Sequence, residues 1–80
     1  MPTKPPKPCP QRARFGKNIA GLRKERKYTQ ERLAELAGIS ARYLQSVEAG
    51  EYFPALPTLA RIKIALHCSW NEIFNGCERI

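Results

Sequence analysis

The stretch from Thr29 to Gly50, TQERLAELAGISARYLQSVEAG, constrains the fold of this chain most. Two short amphipathic segments meet at Gly38, and Ser40 opens the second as a capping residue. In the first segment Leu33, Leu36 and Ala37 fall on one helical face. In the second, Leu44 and Val47 are three apart and pair with Ile39 in the turn. A helix stops readily at a glycine because the left-handed conformation costs it nothing sterically. Two helices joined by a glycine-containing turn of three or four residues form a helix-turn-helix, the unit that lays its second helix in a DNA major groove.

The flanking sequence predicts three more helices. From about Arg14 to Arg26, Phe15, Ile19, Ala20 and Leu22 make an apolar stripe among cations. Thr29 is an N-cap for the second helix, with Glu31 in its first turn. Glu51-Tyr52-Phe53-Pro54 reads as a loop, because the residue before proline is pushed out of the helical region. Pro57 suits the first turn of a fourth helix that runs to about His67. Leu59, Ile62 and Leu66 line one face of it, with Ala55 and Ala65 beside them. Ser69-Trp70-Asn71-Glu72 is a capping box that starts a short fifth helix ending at Gly76. With no β-hairpin signal and no internal repeat, the expected fold is an all-α, compact five-helix domain over residues 15–80. Residues 1–14 hold five of the seven prolines and four cations, so they are expected to form a disordered basic arm.

Charge sharpens the reading. Residues 1–27 carry nine Lys/Arg against one acid, and residues 28–80 carry five against six, which leaves a formal net charge of +7. A basic front on a nearly neutral body suggests a polyanionic partner, with nucleic acid favoured over anionic lipid. No run of 18 apolar residues exists, so no membrane span is expected. The start of the chain has no apolar h-region of a secretory signal, and a cytoplasmic location is expected. Cys9, Cys68 and Cys77 contain no C-x-x-C pair, and with His67 they fall short of a four-ligand zinc site. Reduced thiols are the plain reading. No metal, cofactor or small-molecule substrate is expected. The single histidine and seven acids form no catalytic constellation, so an enzyme is not expected.

The chain from about Phe15 to Gly76 resembles the Xre/Cro-like, lambda-repressor-like family of bacterial and phage DNA-binding domains. The resemblance rests on Ile19-Ala20-Gly21-Leu22-Arg23, Thr29-Gln30-Glu31-Arg32-Leu33-Ala34 and Gly38-Ile39-Ser40. It continues through Leu44, Val47-Glu48-Ala49-Gly50, Pro54, Leu59 and Ala65-Leu66. It implies a five-helix domain, operator binding as a homodimer and a regulatory role.

With Leu44 and Val47 turned inward, the outward set on the third helix is Ala41, Arg42, Gln45 and Ser46. These are the candidate base-reading residues, and they match the base-reading positions of the family. Arg42 suits O6 and N7 of guanine, and Gln45 suits N6 and N7 of adenine. The plainer alternative for Arg42 is a phosphate contact or a solvated charge. The resemblance assigns Gln30, at the start of the second helix, to a DNA phosphate. Tyr43 either reaches a phosphate through its hydroxyl or covers the edge of the core. Lys17, Arg12 and Arg14 are expected on the phosphate backbone without reading sequence. The resemblance also implies a buried ion pair between Arg23 and Glu48.

Trp70, Ile73, Phe74 and Ile80 are more apolar surface than one small core should need. Trp70 is expected to join the core, leaving Ile73, Phe74 and Ile80 as a dimer interface. The alternative reading is an interaction module, an antitoxin or adaptor, that uses the apolar surface of residues 70–80.

Overall fold

The computed structural model describes residues 10–77. It contains α1 (Pro10–Glu25), α2 (Gln30–Ala37), α3 (Ala41–Glu48), α4 (Leu56–Leu66) and α5 (Trp70–Ile73). Among the described residues there is no strand. Side-chain caps set where three of the helices begin. The Thr29 hydroxyl accepts from the Arg32 N–H at 3.0 Å, and the Ser40 hydroxyl accepts from the Tyr43 N–H at 3.0 Å. Ser69 and Glu72 close a reciprocal box, with bonds of 3.1 and 2.9 Å. Each such cap is worth about 1 kcal/mol. Helix α4 lacks a side-chain cap and has Pro57 in its first turn, where no N–H is needed.

The helices pack into a body of 32 × 27 × 21 Å, α2 against α3 and α4, α1 against α3 and α5. Phe15, Ile19, Leu33, Leu44, Val47, Ile62, Leu66 and Ile73 are fully buried at its centre. Full burial of one such aliphatic or aromatic side chain contributes about 1.5–3 kcal/mol. Gly16 brings α1 and α3 into backbone contact: a Cβ there would stand 2.5 Å from the Glu48 carbonyl oxygen. That approach fixes α3 on the scaffold.

Four expectations need correction. Helix α1 begins at Pro10, so Arg12, Ala13 and Arg14 are helical and not part of an arm. The physical reason is that a first-turn proline lacks only an N–H that would have no intrahelical partner anyway. Residues 1–9 lie outside the described residues. Leu36 is 42% exposed, so the face of α2 that is buried is Leu33, Ala34 and Ala37. Trp70 and Ile73 exchange roles: Trp70 is 40% exposed, whereas Ile73 is 0% exposed and belongs to the core. Ile73 is therefore not an interface residue. Its carbonyl accepts from the Asn18 amide at 2.8 Å, which ties α5 to α1. Phe74 is half-buried against the Phe15 ring, centroids 5.7 Å apart, and also stacks on Trp70. Ile80 lies outside the described residues.

Candidate nucleic-acid interface

Helices α2 and α3 are joined by Gly38, Ile39 and Ser40. Gly38 takes the left-handed conformation at φ 71°, and the Ile39 N–H reaches the Ala34 carbonyl at 2.9 Å to seal the end of α2. Ile39 packs on the core from the turn. The inner face of α3 is Leu44 and Val47, both 0% exposed. Opposite them Arg42 and Gln45 stand exposed, three residues apart and hence neighbours on one face. Ala41 and Ser46 are half-buried at its borders, and Ala41 touches the core. Among the described residues Arg42 makes no ion pair, so its guanidinium fork is open to an outside acceptor. Tyr43 is half-buried with its ring against the core.

The cations of the first helix divide sharply. Arg12 Nε donates to the Gly50 carbonyl at 3.1 Å, and Arg14 Nε donates to the Asn75 carbonyl at 3.1 Å. Both were expected on DNA phosphate, but the structure places them on the chain's own loops. The early start of α1 sets these side chains beside the loop after α3 and the end of α5. Arg26, just past the helix, donates to the Leu66 carbonyl at 2.6 Å and to the His67 carbonyl at 3.3 Å, capping the end of α4. Lys17, Lys24 and Lys27 remain exposed. Lys17 rims an open groove between α1 and α5, together with Asn18, Gly21, Leu22, Glu25, Glu72 and Asn75. The two carboxylates there temper its pull on a polyanion.

Arg23 and Glu48 meet across α1 and α3 in a bidentate pair, Nε to Oε2 at 2.8 Å and Nη2 to Oε1 at 3.1 Å. Both side chains are nearly covered, at 11% and 7% exposed. Gln30, the first residue of α2, donates from Nε2 to Glu48 Oε1 at 3.0 Å. Sequence reasoning missed that third bond, as well as the two bonds from Asn18 to the carbonyls of Ile73 and Asn75. An asparagine inside an apolar helical stripe is the one signal that pointed to the latter.

Cys68 is buried, and desolvation, with the Glu72 carboxylate adding to it, pushes its thiol above the ordinary 9.0. It is a neutral core group. No cluster of His, Cys, Asp or Glu among the described residues could hold a metal ion. No helix there is long and apolar enough to cross a membrane.

Comparison with known proteins agrees with this geometry. A helix-turn-helix family model, HTH_3, matches residues 19–73. The immunity repressor protein of Bacillus phage phi105 is 47% identical over 51 residues, which are 64% of this chain and 35% of the repressor. The chain thus spans about a third of that protein's length. An uncharacterized HTH-type transcriptional regulator of Sinorhizobium fredii, y4dJ, is 40% identical over 58 residues, covering 72% of this chain and 75% of that protein. The crystal structure of the restriction-modification controller protein C.AhdI from Aeromonas hydrophila superposes with a TM-score of 0.74 at 31% identity, over 78% of this chain and 94% of that one. The chain therefore belongs to the HTH_3 helix-turn-helix family, of Xre/Cro-like type, a family of DNA-binding transcription regulators.

Proposed function

We propose that the chain regulates transcription by binding a pseudo-palindromic operator as a homodimer, with residues 40–49 as its recognition helix. The observation that carries this reading is the two-sided character of α3. Leu44 and Val47 are locked at 0% exposure while Arg42 and Gln45 stand free on the opposite face. In this reading Arg42 and Gln45 reach base edges, and Ala41 and Ser46 allow close approach or touch a thymine methyl or a base edge. Gln30, Tyr43 and Lys17 grip phosphates and set register without reading sequence.

The homodimer is supported by apolar surface that the monomer leaves uncovered: Leu56 is 69% exposed, Ile64 68% and Trp70 40%. Trp70 adjoins the last turn of α4, where the Lys63 ammonium sits 5.3 Å from its ring centroid. A two-fold pair through such a surface would set two recognition helices about 34 Å apart, one turn of B-DNA. The same surface also suits the interaction-module reading, in which a different protein covers it.

Selection of binding sites from a random DNA pool tests the proposal. The expected product is a duplex with two inverted half-sites about 10 base pairs apart, centre to centre. A pool with no enriched sequence after repeated rounds would overturn it. Co-purification of a neighbouring gene product with a chain that enriches nothing would favour the interaction module.

A further inference from the structure

The Glu48 carboxylate does more than pair with Arg23. Its Oε1 accepts from two residues at once, Arg23 Nη2 at 3.1 Å and Gln30 Nε2 at 3.0 Å, while Oε2 accepts from Arg23 Nε at 2.8 Å. The guanidinium is held from behind as well, since Nη1 donates to the Tyr28 carbonyl at 2.9 Å. The carboxylate thus joins α1, the first residue of α2 and the last residue of α3, and the Arg23 guanidinium adds the loop before α2.

A carboxylate can only accept hydrogen bonds, so Gln30 must turn its amide nitrogen toward Glu48, not its oxygen. The flipped carboxamide would set two acceptor oxygens 3.0 Å apart. Because Glu48 is charged and only 7% exposed, the preference is enforced in a poorly screened setting. The bond uses one of the two N–H groups of the amide and leaves the second available. Gln30 is only half-buried, and it stands where the first N–H groups of α2 lack intrahelical partners, a place suited to an anion.

We propose that Glu48 is a positioning residue for the DNA contact: it fixes the Gln30 carboxamide so that its remaining N–H is offered to a phosphate oxygen. The grip of α2 on the backbone is thereby tied to the last turn of the recognition helix. Without Glu48 the Gln30 side chain rotates freely and must be ordered at the moment of binding, which weakens the contact. This inference rests on the reading of α3 as a DNA-recognition helix.

A double-mutant cycle tests it, with Gln30→Ala, Glu48→Gln and their combination titrated against the operator duplex recovered by selection. Gln30→Ala should lower affinity by about tenfold, the size of one hydrogen bond to a charged group. Glu48→Gln should cost binding too, and adding Gln30→Ala to it should cost almost nothing more. Fully additive losses, or wild-type affinity in Gln30→Ala, overturn the proposal. Glu48→Gln leaves a buried guanidinium without its counter-charge, so folding is checked by circular dichroism. Should it fail to fold, nitrogen relaxation of side-chain amides in the unmutated chain decides. The Gln30 amide should be as ordered as the backbone before DNA is added, while the Gln45 amide is mobile. A mobile Gln30 amide overturns the positioning role. If the unmutated chain enriches no DNA sequence, the reading of α3 falls and this role with it. If Arg42→Ala loses specific binding while Gln30→Ala does not, only the positioning role falls.

Discussion

The arginines of the first helical region and the arginine of α3 meet opposite fates. Arg12, Arg14, Arg23 and Arg26 each direct Nε to an oxygen of the protein itself, three of them to backbone carbonyls and Arg23 to Glu48. Arg42 stands exposed with no ion pair among the described residues. A planar fork of donors suits carbonyl oxygens at helix ends, whereas an ammonium keeps its water, and Lys17, Lys24 and Lys27 are left at the surface. Formal charge and outward-facing charge are therefore different quantities. The basic front of this chain spends much of its arginine on architecture, and α3 presents its single arginine outward.

The contrast can be broken most severely at Glu48. Glu48→Ala leaves Arg23 buried without a counter-charge and should destabilise the fold by about 3–5 kcal/mol, read from thermal melts followed by circular dichroism. A loss under 1 kcal/mol would show the pair to be dispensable.

Arg26→Ala sets the two kinds of arginine side by side. It removes donors from the last carbonyls of α4 and should cost about 1.5–3 kcal/mol of stability. Arg42→Ala should stay within about 0.5 kcal/mol of the unmutated chain in the same melts. Equal destabilisation by the two substitutions would erase the distinction between architectural and outward-facing arginine.

The hairpin was legible in the sequence because its signals are local. Thr29, Gly38 and Ser40 act within three or four residues of themselves, and the caps and the left-handed turn follow from them. Leu44 and Val47 needed only helical spacing. What stayed hidden depends on partners far along the chain. Arg12 bonds Gly50, Arg14 bonds Asn75 and Arg26 bonds Leu66, contacts between residues 38, 61 and 40 positions apart. Nothing in a basic run announces which of its cations will find a carbonyl. The exchange between Trp70 and Ile73 has another cause: a helix of four residues has too little length for periodicity to choose its buried side. Of the site, the exposed pair on α3 followed from spacing. The bond that ties Gln30 to Glu48 did not, since it joins residues 18 positions apart and needs α2 and α3 docked.

The smallest effect concerns Cys68. Burial raises its thiol above 9.0, so the folded state favours the neutral form. That contribution is fully present at lower pH and is lost as pH rises through the raised value in the folded chain. Stability should therefore decline more steeply on the alkaline side of pH 9.0 for the unmutated chain than for Cys68→Ala. Parallel pH profiles would show that the thiol is as solvated in the fold as in the unfolded chain.

The most direct measurement titrates Arg42→Ala and Arg26→Ala, below their melting temperatures, against the selected operator and against a random duplex. Arg42→Ala should lose about 1–3 kcal/mol on the operator and almost nothing on the random duplex, with relaxed preference at one base pair of each half-site. Arg26→Ala, once folded, should bind both duplexes as the unmutated chain does. Equal losses by Arg42→Ala on operator and random DNA would contradict a base-reading role for the exposed face of α3.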